Sequence, residues 1–253
     1  MSTHLDPETL SELLESLSDP EEAKRTMRRI QPLRGVRGVS LAEVNQIAIA
    51  TWEETPPTLG VDDEGLSELF SAAWEDGLVA IGLLAAAGLS DPEGALDLAE
   101  EWATRTDDVE TADVLGALVV GPACIALGKP LTSLACLHNS RAAARRIAVV
   151  AGLAYTPWTL SGPGTGPLRT KLGEKDLRFV ETPDHRAIAA ILGSVIRDEA
   201  PQLRKAVRRL LTEWHRYAPE EATEWVLRFP GGVPKMISEV VLPKPKRKPR
   251  RRR

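Results

Sequence analysis

The feature that most constrains the fold is a helix-start signal that recurs along the chain. A capping side chain is followed directly by proline, which suits the first helical position because its missing N–H would be unpaired there anyway. Apolar residues then recur every three or four positions, and the alternation typical of strands is almost absent. The sequence therefore predicts an all-α protein. These starts are Asp6-Pro7, Asp19-Pro20, Asp91-Pro92 and Thr182-Pro183, and Ser40 with Glu43 adds a capping box.

The predicted helices are short and are joined by short links. No heptad pattern is sustained over several turns, so a coiled coil is not indicated, and stacked antiparallel pairs are favoured. We expect an α-α superhelix, a curved α-solenoid, of about six antiparallel helix pairs. The predicted segments are 7–17, 20–30, 40–51, 62–75, 77–88, 92–105, 108–120, 121–128, 131–154 with a break near Asn139, 183–198, 201–217 and 219–229.

Composition limits the chemistry and the compartment. No run of 18 apolar residues and no signal peptide is evident, so we expect a cytoplasmic protein, at the nucleoid if the source is bacterial, without membrane contact. Cys124 and Cys136 lie in apolar helical surroundings, which predicts reduced core residues. The four histidines are far apart and have no ligand spacing. We expect no metal, no cofactor and a monomer.

Two stretches interrupt the helical pattern. Residues 155–181 are rich in glycine and proline, which predicts a surface insertion. Their G-x-G-x-G spacing does not indicate a nucleotide site, because no strand precedes it and no Gly-Lys-Ser/Thr follows. The second stretch begins after Pro243. We therefore predict a helical-repeat domain over residues 1–243, containing this insertion, and a disordered basic tail over residues 244–253.

The tail carries a large share of the positive charge. It holds eight of the 32 basic residues, and the remaining 24 face 36 acidic residues, so the rest of the chain has a net charge of −12. A polycationic tail is suited to a polyanion such as nucleic acid. A solubilising or targeting tail is the alternative. The candidate nucleic-acid-binding residues here are Lys244, Lys246, Arg247 and Lys248.

Two predicted helices each carry a cationic face. Their basic residues are spaced so that they share one side of a helix, and such ridges along a solenoid suit the phosphate backbone of duplex DNA. The alternative is that these faces are solvated and paired with acidic residues of neighbouring helices. The candidate residues are Arg141, Arg145 and Arg146 on one helix, and Arg204, Lys205, Arg208 and Arg209 on the other.

Asp113 is the candidate catalytic residue. It begins a segment that is otherwise apolar from Val114 onward, so its carboxylate needs a partner, water or a function. A structural acid that pairs with Arg146 or caps a neighbouring helix is the alternative.

Five segments in sequence order resemble the HEAT-like-repeat DNA glycosylases of the DNA alkylation repair family. They are Gly35-Val36-Arg37, the Trp74 region, Glu110 to Asp113, Arg145 to Ala148, and the run from Arg204 through Trp214 to Trp225. The resemblance covers roughly residues 10–230. It implies a HEAT-like or ARM-type solenoid that binds duplex DNA in a basic concave groove and excises N-alkylated purines such as 3-methyladenine and 7-methylguanine.

The resemblance also implies roles for individual residues. Asp113 corresponds to the aspartate that promotes loss of the alkylated base, and Arg146 to an arginine that contacts DNA. Val109 and Arg209 stand where family enzymes have tryptophans, and Ala142 to Ala144 replace an aromatic residue. A non-catalytic protein that binds damaged or branched DNA, or a protein scaffold, is therefore the alternative function.

Overall fold

The computed structural model describes residues 5–157, 170–172 and 180–242. Within these ranges the chain is helical and has no strand, so the all-α prediction is confirmed. The first six helices are α1 (Pro7–Ser16), α2 (Pro20–Ile30), α3 (Leu41–Glu54), α4 (Asp63–Ser71), α5 (Trp74–Ala87) and α6 (Pro92–Ala103).

The second half begins with one nearly continuous helical stretch. It consists of α7 (Val109–Leu115), a π-helical turn (Gly116–Val120) and α8 (Gly121–Leu127). Short 3-10 turns follow at Leu131–Ser133, Ala135–His138 and Gly152–Tyr155, the last of them directly after α9 (Ala142–Ala151). The remaining helices are α10 (His185–Val195), α11 (Pro201–Tyr217), α12 (Pro219–Arg228) and α13 (Lys235–Ser238).

The helices stack in two layers, as a superhelix of helix pairs requires. Helices α3, α5, α7, α9 and α11 contact one another in that order, and we call this row the first layer. Helices α4, α6 and α8 contact one another in a second row, and the helices of the two rows pack together across the core. The predicted superhelix is confirmed, and its first layer carries the residues of the candidate site.

Most of the helix starts lie where the sequence places them. Asp6, Asp19 and Asp91 each accept backbone hydrogen bonds at the start of their helices, and Ser40 with Glu43 forms the predicted capping box. The start predicted at Thr182-Pro183 is wrong. Asp184 caps α10 instead, because its carboxylate accepts from the amides of Arg186 and Ala187, both at 3.0 Å.

Two predicted segments have different boundaries in the structure. The segment 62–75 is wrong as one helix, because α4 ends at Ser71 and α5 begins at Trp74. The Trp74 amide donates to the Gly35 carbonyl at 2.8 Å, so the chain is held there by a remote segment. The segment 131–154 is broken as predicted near Asn139, but its first part forms 3-10 turns and not a helix. Helix α13 was not predicted.

Two glycines let the α7–α8 stretch lie in backbone contact with α9. A Cβ atom on Gly116 would lie 2.5 Å from the Ile147 carbonyl oxygen, and one on Gly121 would lie 2.6 Å from the Ala151 carbonyl oxygen. Real Cβ atoms do not approach so closely, so the crossing requires glycine at both positions. It places Arg146, which precedes Ile147, against α7.

The stretch Val109–Leu127 is the one helix among the described residues that is long and apolar enough to cross a membrane by length and composition alone. It has 19 residues, and an 18-residue window of it has a mean hydropathy of 1.6. Of that window, 67% is buried inside the protein. We interpret it as a core helix, because α5, α6 and α9 pack around it.

The two cysteines are buried and unpaired, as predicted. Burial in apolar surroundings raises the pKa of both thiols to about 12. Both are therefore protonated near neutral pH and poor nucleophiles.

We predict that Gly116→Ala destabilises the protein by about 1–3 kcal/mol, because the added methyl group forces α7 and α9 apart. Urea unfolding of the wild type and the variant measures the change. Gly193→Ala is the matched control: its Cβ atom would meet Phe229 Cε2 at an ordinary 3.7 Å, and alanine stabilises a helix relative to glycine by up to about 1 kcal/mol. Equal stabilities for the two variants would contradict the prediction.

Candidate nucleic-acid interface and carboxylate site

Asp113 lies on α7, in the middle of the first layer. The N-cap of this helix is Asp108, whose side chain accepts from the Thr111 amide at 2.8 Å. The side chain of Asp113 keeps 23% of its surface exposed, while its neighbours Ala112 and Leu115 are fully buried. The carboxylate therefore sits at the edge of the core and remains accessible from outside.

Arg146 on α9 holds this carboxylate by two parallel bonds. Its Nε donates to Asp113 Oδ1 at 2.6 Å, and its Nη2 donates to Asp113 Oδ2 at 2.9 Å. The third nitrogen, Nη1, donates to the Gln202 carbonyl oxygen on α11. Only 6% of the Arg146 side chain is exposed, so its guanidinium is occupied within the protein. The pairing with Arg146 that the sequence offered as an alternative is present in the structure.

Arg209 on α11 is a second cation beside Asp113. Its Nη1 lies 3.5 Å from Asp113 Oδ2, and 38% of its side chain is exposed. The contact is longer than those of Arg146 and has a single bond, so it is the weaker of the two. An arginine thus occupies the position where the resemblance implies a tryptophan.

The remaining basic residues predicted on the α9 side are partly occupied. Arg145 forms an ion pair with Asp198 at 2.9 Å and donates to the carbonyls of Asn139 and Ser140. Arg141 is exposed and donates to the Thr104 carbonyl at 2.9 Å. Of this cluster, Arg141 is the cation that faces solvent most openly.

The basic residues predicted on α11 are more exposed. Arg204 has 37% of its side chain exposed, and its Nη2 lies 3.9 Å from Glu199. Lys205 and Arg208 are exposed, and no acidic residue of the described ranges pairs with either. Helix α11 therefore presents the strongest cationic surface among the predicted faces. The tail candidates Lys244, Lys246, Arg247 and Lys248 lie outside the described residues.

A second acidic residue of α7 faces the same side as Asp113 and was not singled out from the sequence. Glu110 lies three residues earlier, which places it on the same side of the helix. Its carboxylate pairs with Arg29 at the end of α2. Burial raises the pKa of Glu110, while Arg29 opposes that increase.

Hydrogen bonds hold the segment between α2 and α3 against α7 and α5, and most of them are accepted by acidic side chains. Asp107 accepts from the Leu33 amide at 2.6 Å, and Arg34 donates to Thr111 Oγ1 at 3.1 Å. Further along, the fully buried carboxylate of Glu75 accepts from the amides of Arg37 and Gly38 at 3.0 and 2.8 Å. No local sequence pattern predicts these contacts, because the partners are 37 or more positions apart.

Two tryptophans in the segments that carry the family resemblance lie in the core. Trp74 and Trp214 are each 1% exposed, and Trp214 packs against Trp225 with ring centroids 5.7 Å apart. Neither Trp74 nor Trp214 offers a ring face to a ligand. Among the described residues no group of three or more His, Cys, Asp or Glu side chains is placed to hold a metal ion.

The sequence pattern of the DNA alkylation repair enzyme family matches residues 10–239, almost the whole helical part of the chain. The chain belongs to this family. No curated protein matches its sequence. Membership of the DNA alkylation repair enzyme family supports a role in the repair of alkylated DNA.

We predict that Arg146→Met destabilises this DNA alkylation repair protein by about 2–4 kcal/mol, because it leaves a half-buried Asp113 carboxylate and the Gln202 carbonyl without their main donor. Urea unfolding measures the loss. The double variant Arg146→Met with Asp113→Leu is expected to recover at least about 1 kcal/mol of it.

The matched control is Arg216→Met. Arg216 pairs with Glu213 at 3.1 Å, but 65% of its side chain is exposed, so its loss is expected to cost less than about 0.5 kcal/mol. If Arg146→Met cost as little stability as this control, the bonds from Arg146 to Asp113 on α7 and to Gln202 on α11 would not contribute to stability.

Proposed function

We propose that the protein is a DNA glycosylase that hydrolyses the N-glycosidic bond of N-alkylated purines, such as 3-methyladenine and 7-methylguanine, in duplex DNA. The observation that carries the proposal is the Asp113 carboxylate, which Arg146 holds in a fixed orientation while part of it stays exposed. Its position on the first layer of a DNA alkylation repair family fold supports this function.

The chemistry needs little beyond such a carboxylate. A purine alkylated at N3 or N7 is cationic, so it can leave the sugar without protonation by a general acid. The sugar then develops oxocarbenium character, which a nearby carboxylate stabilises electrostatically. Each carboxylate oxygen has two acceptor positions, so the bonds from Arg146 leave others for the substrate or for the attacking water.

The cationic surface of α11 supports contact with the phosphate backbone. Lys205 and Arg208 are exposed and have no acidic partner among the described residues, and Arg209 lies one helical turn from Lys205. Arg204 on the same helix and the exposed Arg141 at the start of α9 are further candidates for phosphate contact. Such residues position a duplex without reading its sequence, which suits an enzyme that searches for damage.

We predict that the wild type releases 3-methyladenine or 7-methylguanine from methylated duplex DNA and that Asp113→Asn lowers the single-turnover rate by about a hundredfold or more, since the charge that stabilises the sugar is lost. Chromatography of the released bases measures the rate. Asp97→Asn is the matched control, because Asp97 is an exposed residue of α6 that pairs with no basic residue of the described ranges.

Wild-type protein that binds DNA but releases no alkylated base would reject the glycosylase. Non-catalytic binding of damaged or branched DNA would then be the favoured function. A specific observation supports this alternative: Asp113 is paired with two arginines, and Val109 and Arg209 stand where aromatic side chains are implied. If no nucleic acid bound at low salt, a protein scaffold would be the remaining proposal.

We predict that removing residues 244–253 flattens the dependence of DNA affinity on salt. The tail carries eight basic residues, and each phosphate contact contributes about 0.9 to the slope of log K against log salt concentration, so a loss of several units is expected. Binding titrations between low and physiological salt measure the slope. A tail of equal length with serine at the basic positions is the control for length, and an unchanged slope in both would contradict the prediction.

A further inference from the structure

The carboxylate of Asp113 is surrounded by more positive than negative charge. Arg146 and Arg209 both contact it, at 2.6 Å and 3.5 Å, so two charges of +1 face one of −1 and the sum is +1. Glu110, the next acidic residue on this side of α7, does not offset the excess, because it pairs with Arg29. This arrangement is unfavourable for a sugar that becomes cationic, since the guanidinium groups repel the charge that the carboxylate attracts.

The two arginines differ in how firmly they are held. Only 6% of the Arg146 side chain is exposed, and its guanidinium is bonded to Asp113 and to the Gln202 carbonyl. The side chain of Arg209 is 38% exposed, and its contact of 3.5 Å with Asp113 is longer than the usual distance of about 2.7–2.9 Å between such charged groups. Of the two arginines, Arg209 is therefore the one that another anion can draw away from Asp113.

Arg209 also belongs to the surface where a DNA phosphate is expected. Lys205 lies one turn earlier on the same side of α11, and Arg208 is the adjacent residue. Both are exposed, and neither pairs with an acidic residue in the part of the chain that the structure describes. A duplex on this cationic surface brings its phosphates toward the guanidinium that contacts Asp113. Helix α11 thus connects the candidate DNA surface with the carboxylate site.

The burial of Arg146 changes which arginine can contact DNA at this site. The family resemblance implies a DNA contact for Arg146, but its guanidinium is buried and bonded within the protein. Arg209 is the more exposed cation beside the same carboxylate. Its planar guanidinium suits a phosphate as well as a carboxylate, since both anions accept two parallel N–H bonds. A phosphate contact next to Asp113 is therefore expected from Arg209.

We propose that Arg209 is a specificity-determining residue that makes base release depend on a DNA phosphate near the damaged nucleotide. The proposal rests on the proposed function, since it concerns the reaction at Asp113. In the free protein Arg209 offsets the charge of Asp113. In the complex a phosphate takes up the guanidinium of Arg209, so the sum of charges left at the carboxylate falls from +1 to zero. The substrate is then a polynucleotide, and a free alkylated nucleoside, which has no phosphate, is excluded.

Duplexes that contain a methylphosphonate test the proposal, because this linkage is uncharged and cannot draw Arg209 away from Asp113. Each duplex carries one 7-methylguanine and one methylphosphonate, placed in turn at the nearby positions of either strand. Release of 7-methylguanine is measured in a single turnover with saturating protein, and doubling the protein concentration checks saturation. At one or two positions the wild type is expected to be slowed about tenfold relative to the unmodified duplex.

The variant Arg209→Met is expected to be slowed less than about twofold at the same positions, because no cation has to leave Asp113. On those duplexes it is expected to release the base at least about fivefold faster than the wild type. A variant that had only lost structure would be slower on every duplex. Arg209→Lys keeps a cation at this position and is expected to retain the dependence on the phosphate.

The matched control is Arg216→Met. Arg216 lies on the same helix, 65% of its side chain is exposed, and it pairs with Glu213 instead of Asp113. This variant is expected to be slowed by the same methylphosphonates, and to the same extent, as the wild type. Circular dichroism checks that both methionine variants are folded.

The unmodified duplex separates failure of this proposal from failure of the proposed function. Wild-type protein that releases 7-methylguanine from it but is slowed by no methylphosphonate would overturn the role of Arg209 alone. Equal slowing of the wild type and Arg209→Met would do the same, because the phosphate would then act without Arg209. Wild-type protein that releases no base from the unmodified duplex would overturn both proposals.

Discussion

The candidate site depends on one guanidinium group. Arg146 is almost completely buried, so its charge has lost most of its hydration and must be compensated inside the protein. Asp113 on α7 and the Gln202 carbonyl on α11 supply that compensation. Three helices of the first layer are thereby joined through a single side chain of α9, and the orientation of the Asp113 carboxylate is a consequence of this junction.

This junction requires a close helix crossing, which is possible only where a residue without a side chain lies between the two backbones. Gly116 brings the backbone of the π-helical turn against Ile147, next to Arg146 in sequence. The starts of α1, α2, α3 and α6 could be predicted because each cap lies within three residues of the amide it binds. The crossing could not be predicted, because a glycine inside a helix does not identify the helix that lies against it.

The same limit explains which parts of the site were found from the sequence. Helix periodicity placed Arg145 and Arg208 on cationic faces, but it does not distinguish a face toward solvent from one toward a neighbouring helix. Asp198 pairs with Arg145 in the structure, whereas Arg208 stays exposed. Asp113 stood out as a carboxylate at the start of an apolar segment and Arg146 as part of a cationic face, and the family resemblance implied their roles. The bond between Asp107 and Leu33 joins residues 74 positions apart and left no local pattern.

Charge around Asp113 links DNA binding to the proposed reaction. Two guanidinium groups beside one carboxylate would repel a cationic purine. The site would therefore bind an alkylated base less well than a site with an aromatic side chain at the position of Arg209. Arg146 cannot withdraw, because it is buried and all three of its nitrogens are bound. Arg209 is held less tightly at this carboxylate, since it is partly exposed and its contact with Asp113 is 3.5 Å long. In the proposed complex, a DNA phosphate on the cationic face of α11 would compete with Asp113 for Arg209. If Arg209 turned to that phosphate, the charge of Asp113 would become available to the sugar only when a duplex is in place.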